Sequence, residues 1–462
     1  MIPRPGNKLR TQIISLSLGA CIACIAWLGV GCASAPPERA MSVITAEGRL
    51  APLDSVTVSY DVAGIRVIQR PNYANDAVAV NIYLLGGTRQ LTAATQGVES
   101  LFLHDGEYGT QKYPGSDWRA AWGLTGSRLV IDPEADWTVY GFRGIRQEFD
   151  GSWDAFADRL MHPTLSSSSL KISRARLVAD SRLESDEPDV YIEKLADSVA
   201  FAGQPYGLNP DGTEATLAAL DSATIAKYEE QIVKSRLLLV VVGNVTRAQV
   251  EAAVSRTLAA LPTGNYTWTL PSVSNASNST INLRSRILPT NYVVGIFRGP
   301  DAASPSSPAF RVAVALLSTG MTDAIREERG LSYAANAIWI ERGATAGAIY
   351  VSTAAPTTVL PLISKQMDDI RHIPGPVSLH NFTDQFIVEY FADNMTNAGQ
   401  ADFLARAQLY QGDYRKASQA MEDLRHVSSD DVRDVAARYF NHIHFVYLGD
   451  TTRVDRKAFA GF

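Results

Sequence analysis

Apolar and polar positions change period repeatedly along this chain, and the changes mark its elements. Short apolar runs at 56–60, 79–85, 137–142, 237–242, 292–297, 346–353 and 444–448 read as strands. Longer stretches with apolar residues three and four apart read as helices. They fall at 94–104, 153–161, 168–184, 222–235, 247–261, 308–317, 359–371 and 427–439. Strands mixed with long amphipathic helices predict α+β layers, with helices packed on one face of a sheet.

Part of this pattern occurs twice. Leu220-Asp221-Ser222 opens a helical stretch, an apolar run from Leu237 to Val242 follows, and Gly243-Asn244-Val245-Thr246-Arg247 turns the chain. Val427-Ser428-Ser429, Phe445 to Leu448 and Gly449-Asp450-Thr451-Thr452-Arg453 repeat that order, 206 or 207 residues later. Asp221 and Ser428 or Ser429 are suited to cap the start of each helix. Between the copies, Pro262 to Thr280 is rich in Ser, Asn, Thr and Gly and reads as a connection. The expected domains are therefore 45–263 and 280–462, joined by a linker at 264–279.

Composition narrows the chemistry. The net charge is -6, so broad nucleic-acid binding, which runs on phosphate contacts, has no basic surplus behind it. Cys21, Cys24 and Cys32 are the only cysteines, which removes disulfides, thiolate metal sites and cysteine nucleophiles from the rest of the chain. Arg4, Lys8 and Arg10 precede an apolar stretch from Ile13 to Val30, the layout of an export signal over residues 1–31 with a tether at 32–44. Gly31-Cys32 resembles a bacterial lipoprotein site, with lipidation at Cys32. Leu18-Gly19-Ala20-Cys21 offers a second such box, and plain secretion or an uncleaved anchor are the other readings. A lipidated chain would be an envelope protein of the periplasm, held to a membrane by its N-terminal lipid.

Several segments, in order, resemble one family. They are Ile82-Tyr83-Leu84-Leu85-Gly86-Gly87-Thr88-Arg89, then Gly97 to His104, then Gly109-Thr110, then Phe201 to Gly207, then Arg326-Glu327-Glu328-Arg329-Gly330-Leu331-Ser332-Tyr333. Together they resemble the insulinase/pitrilysin zinc peptidases, the group that includes mitochondrial processing peptidase. The resemblance implies two homologous domains, each a mostly antiparallel sheet with helices on one face, facing each other across a cleft.

Active members carry an inverted zinc motif, H-x-x-E-H, whose two imidazoles grip the ion while the Glu activates water. Here Ser100 stands at the first His, Leu103 at the Glu, and only His104 remains. The distant Glu ligand of the family falls at Asp180. One His and one Asp do not supply the three protein ligands of a catalytic zinc site, so no zinc is expected in this chain. Glu99, next to Ser100, points to a different side of the helix. The remaining histidines have no third ligand at motif spacing.

In active relatives a second-domain Arg and Tyr, seven residues apart, face the zinc across the cleft. The matching residues are Arg326 and Tyr333, with Gly330 a helix stop between them. An Arg and a phenol in one cleft can hold a peptide carbonyl and the oxyanion formed from it. The resemblance implies a zinc-less subunit that pairs with a zinc-bearing peptidase subunit and binds peptide through Arg326 and Tyr333. The alternatives are an envelope peptide-binding or scaffold protein without catalysis, and a peptidase with unorthodox ligands.

Overall fold

The structure is a computed structural model that describes residues 56–270, 278–373, 375 and 379–462. The expected signal and tether, Cys21, Cys24 and Cys32 therefore lie outside the described residues, as does 271–277 of the expected linker.

Two sheets carry the architecture. The first has strands β1 (Val58–Val62), β2 (Ile65–Pro71), β3 (Ala77–Leu85), β4 (Arg128–Pro133), β5 (Trp137–Ile145) and β6 (Leu237–Gly243) in the order β1-β2-β6-β3-β5-β4. The second has β7 (Thr280–Ser285), β8 (Asn291–Asp301), β9 (Ser332–Ile340), β10 (Ala344–Thr353) and β11 (His444–Gly449) in the order β7-β11-β8-β10-β9. Dropping the edge strand β1 makes the two orders match strand for strand. Within each, one pair is parallel, β2 with β6 and β7 with β11, and the rest are antiparallel. The sequence repeat is thus the visible part of a repeated sheet.

The repeated glycines have one cause. Gly243 and Gly449 end β6 and β11 at φ of 141° and 153°, where a Cβ would meet Ala77 O and Asn291 Oδ1 at 2.4 Å. Any side chain there collides with the neighbouring strand or its cap. The helices before these strands are capped as expected, by Asp221 accepting from Thr224 N–H and Ser428 from Asp431 N–H.

Fourteen helices of regular α form flank the sheets among the described residues. In the first half they are α1 (Val98–Asp105), α2 (Asp117–Leu124), α3 (Phe149–Met161), α4 (Ser167–Asp186), α5 (Pro188–Ala200), α6 (Glu214–Ala219), α7 (Ser222–Glu229) and α8 (Arg247–Arg256). In the second they are α9 (Ser307–Met321), α10 (Pro356–Arg371), α11 (His380–Asp393), α12 (Asn397–Gln411), α13 (Ala420–Arg425) and α14 (Ser429–Tyr439). One face of the first sheet buries Val80, Ile82 and Phe142 against Phe102, Trp153, Phe156 and Val250 from its own helices. The second sheet does the same with Phe297, Ile349 and Phe445 against Phe310, Leu317, Ile363 and Val435. Each large side chain so buried contributes about 1.5–3 kcal/mol.

The opposite faces are closed by exchange. Helix α12, from the second half, lays Ala401, Leu404 and Ala405 on Ile68, Tyr83 and Val240 of the first sheet. Helix α5, from the first half, lays Ile192 and Ala196 on Val294, Ile296, Val446 and Leu448 of the second. Residues 264–270, in the expected linker, pack alongside α12. Trp268 meets the Trp137 ring at 6.1 Å and donates through Nε1 to Leu409 O at 2.8 Å. Neither half has a complete core without the other.

Candidate functional site

The two sheets approach each other at β4 and the end of β9, each the edge strand of its sheet. Between them lies a cavity of about 1410 Å³, lined from both halves by His104, Arg128 to Asp136, Tyr206, Asp211 and Ile338 to Arg342. The edges of β4 and β9 leave backbone donors and acceptors unpaired by any strand on one side.

Helix α1 brings the motif residues to this cavity and disposes of them separately. Ser100 and His104 share a helix face, four residues apart. His104 lines the cavity. Ser100 is fully buried, and its Oγ donates to Asp211 Oδ1 at 3.3 Å. Leu103 turns away into the core of the first half. Asp180 sits half-buried on α4 and does not line the cavity. Helix α4 is held to α1 by Asp105, which accepts from Ser169 Oγ at 2.9 Å and Ser173 Oγ at 2.8 Å. Burial pushes the Asp105 carboxyl above the usual carboxylate range, and the two serines partly offset that.

This donor set does not fit zinc. A hydroxyl and a buried leucine replace an imidazole and the base. Among the described residues no group of three or more His, Cys, Asp or Glu stands where it can hold a metal ion. Putting the base back is also obstructed. Leu103→Glu is expected to cost at least ~3 kcal/mol by placing a carboxylate in an apolar core. Leu103→Met should cost under about 1.5 kcal/mol. Urea unfolding of the two variants checks this, and equal midpoints would contradict it.

Glu99 points into the core on a different side of α1 from Ser100. It accepts from Thr138 Oγ1, Tyr228 OH and Arg236 Nη2, the last at 3.2 Å. Arg236 also donates through Nε to Leu85 O at 2.9 Å, so the buried pair ties α1 to β3. Burial, with Glu99 beside it, holds the Tyr228 phenol well above its usual value.

No motif or spacing points to Asp136, which centres the junction at the back of the cavity. Asp136, 1% exposed, accepts from Tyr206 OH at 2.8 Å, Tyr410 OH at 3.0 Å and Gly343 N–H at 2.7 Å. Tyr206 belongs to the first half, and Gly343 and Tyr410 to the second. Beside it, Arg406 pairs with Asp402 at 2.7 Å, Glu134 at 3.4 Å and Glu341 at 3.6 Å. Arg342 pairs with Asp197 at 2.9 Å and lies over the rings of Phe201 and Tyr206. The segment Phe201 to Gly207 is therefore structural, delivering an aromatic wall and a hydroxyl to this junction.

Arg326 and Tyr333 are brought together, but elsewhere. Helix α9 widens into a π-helical turn over Thr322–Glu327, which carries Arg326. Gly330, at φ of 57°, then ends the turn, with its N–H on Arg326 O and Leu331 N–H on Ile325 O. The Arg326 guanidinium lies over the Tyr333 ring, 5.1 Å from its centroid. It also pairs with Glu327 at 3.3 Å. Tyr333 is 71% exposed. Neither residue lines the cavity between the two sheets. Arg326 stands in the π-helical turn and Tyr333 at the start of β9, whereas β9 lines the cavity only from Ile338, near its end.

Comparison with known proteins agrees with this architecture. Residues 226–375 match the family described as Peptidase M16 inactive domain. The chain is 21% identical over 184 residues to the uncharacterized zinc protease YmxG of Bacillus subtilis, a match covering 40% of this chain and 45% of that protein. It is 21% identical over 257 residues to human mitochondrial cytochrome b-c1 complex subunit 1, covering 55% of this chain and 53% of that one. The chain thus spans about half the length of these two relatives. Among solved structures, the peptidase M16 inactive domain from Pseudomonas fluorescens superimposes with a TM-score of 0.76 at 16% identity, covering 86% of this chain and 98% of that one. The insulinase-family resemblance and the two-sheet α+β fold expected from the sequence are borne out.

Proposed function

We propose that this chain, which resembles the insulinase/pitrilysin peptidases and matches their inactive domain, is a non-catalytic subunit pairing with a zinc-bearing relative. The observation that carries this reading is the position of Arg326 and Tyr333. They are stacked side by side, with Tyr333 exposed, and set apart from the chain's own cavity. A cation and a phenol held in that way suit the active site of a second chain. There they would act on the carbonyl of a bound peptide. The peptide itself would lie extended in the cavity, adding to the free edge of β4 by strand pairing. Lipidation of Cys32, or of Cys21, would hold the pair at a bacterial envelope membrane, with zinc carried only by the partner.

The test is co-expression with a zinc-bearing relative and assay of the complex on an unstructured peptide. Arg326→Ala combined with Tyr333→Phe should lower kcat/KM about 100-fold while native mass spectrometry shows the complex intact. A second reading, a scaffold without catalysis, is favoured by similarity to the cytochrome b-c1 subunit. It requires unchanged activity in the double variant. Peptide hydrolysis by this chain alone would contradict both.

A further inference from the structure

A buried charge is costly unless an opposite charge accompanies it. Four arginines are buried among the described residues: Arg159, Arg236, Arg342 and Arg406. Arg236 is paired with Glu99, Arg342 with Asp197, and Arg406 with Asp402, Glu134 and Glu341. Arg159 is 3% exposed and has no carboxylate partner among the described residues. It lines the cavity, as His104 does.

The surroundings hold this guanidinium in place without neutralising it. Helix α3 carries Arg159 in its last turn. Nε and Nη2 donate to Leu103 O at 3.3 and 2.9 Å, and Nη2 also reaches His104 O at 3.4 Å. Those carbonyls lie at the C-terminus of α1 and offer partial charge, not a counter-ion. The guanidinium lies over the Trp118 ring, 4.4 Å from its centroid. Gly106 makes room for the side chain, since a Cβ there would meet Arg159 Cγ at 2.6 Å. Nη1 has no hydrogen bond among the described residues. The acids that act on Arg159 are committed elsewhere. Glu107 binds Arg176 at 2.9 Å, and Asp105 accepts from Ser169 and Ser173. Burial accordingly pushes the guanidinium below its usual value.

We propose that Arg159 receives a carboxylate of the peptide held in the cavity, either its C-terminus or an acidic side chain. The inference rests on the reading that a peptide lies along β4. Helix α1 packs against β4, so a strand added to that edge would pass close to the helix end that Arg159 caps. Nη1 brings two N–H donors and the charge of the guanidinium, and such charge-assisted bonds are the strong ones. At the end of the cavity where His104 remains of the zinc motif, the chain would thus hold an anion rather than a metal cation.

Fluorescence anisotropy on the full chain tests this with labelled unstructured peptides of one sequence, ending in a free carboxylate or an amide. Amidated peptides with one internal Glu or Gln form a second pair. The acid member of at least one pair should bind about tenfold or more tighter than its neutral twin. A preference in the first pair assigns the C-terminus, and one in the second assigns a side chain. Arg159→Gln and Arg159→Met both remove the charge; the first can still donate to Leu103 O and the second keeps the packing on Trp118. A variant with parent-like circular dichroism should bind acid and neutral peptides alike. A preference unchanged in such a variant overturns the assignment to Arg159. Equal binding of both pairs by the parent overturns the carboxylate site and leaves the peptide reading of the cavity standing. No binding of any of these peptides overturns both.

Discussion

Asp136→Ala is expected to destabilise the protein by at least ~3 kcal/mol. It would do so by undocking the halves rather than by emptying a core. Three donors, Tyr206 OH, Tyr410 OH and Gly343 N–H, converge on one carboxylate that is 1% exposed. Each buried donor left without an acceptor costs about 1–3 kcal/mol. Burial, with Asp136 next, raises both the Tyr206 and Tyr410 phenols far above their usual value. Total stability of a domain is only about 5–15 kcal/mol, so the loss is a large share. Asp136→Asn keeps one acceptor oxygen and turns an amide toward a tyrosine oxygen, so it should lose roughly half as much. Urea unfolding followed by both tryptophan fluorescence and circular dichroism checks the prediction. An Asp136→Ala midpoint matching the parent would show that the junction is not what joins the halves.

Glu99→Ala should cost about 3–5 kcal/mol, because it strands the Arg236 guanidinium in the core. Arg236 is 2% exposed, and what remains to it is neutral: the carbonyls of Leu85 and Gln231 and the rings of Tyr228 and Tyr266. Tyr228 loses its acceptor in the same step. Glu99→Gln removes the charge but keeps an acceptor, so it should fall between parent and alanine. The paired variant Glu99→Ala with Arg236→Met should recover much of the loss, since a buried pair is replaceable by apolar volume. A double-mutant cycle on thermal unfolding measures this. Additive losses would mean that Glu99 and Arg236 do not act as a pair. The pair bears on function, because it accounts for an acidic residue next to Ser100. Glu99 braces the helix that carries the motif positions; it is not a displaced catalytic base.

The repeat can be read from the sequence because its cause is local. Gly243 and Gly449 are required by positive φ and strand contact, and Asp221 and Ser428 by helix capping. All seven expected strands lie within observed ones or overlap them, since each is a compact apolar run. Strands β2, β4, β7 and β9 are not among them. In β4 and β7 much of the strand is only half-buried at a sheet edge, so no clean alternation forms. Helix α12 is hidden for the opposite reason: Ala401, Ala405, Arg406 and Tyr410 bury it on several sides, which blurs the polar face that marks a helix. The exchange of α5 and α12 between halves is a long-range choice that no local pattern encodes.

At the candidate site, the identity of Ser100, Leu103 and His104 is readable residue by residue, and so is the proximity of Arg326 to Tyr333. What spacing does not convey is where that pair faces. The π-helical turn and the register of β9 set its direction, and both depend on packing across the second half. Asp136 is silent in the sequence because its three partners come from residues up to 274 positions away.

Native mass spectrometry of the tagged protein, extracted gently from its source cells, weighs metal and partner together and so decides whether this chain is a zinc-less half of a peptidase. The expected species is a metal-free copy of this chain bound to a relative that carries one zinc. A lone chain holding a zinc ion of its own would contradict that reading.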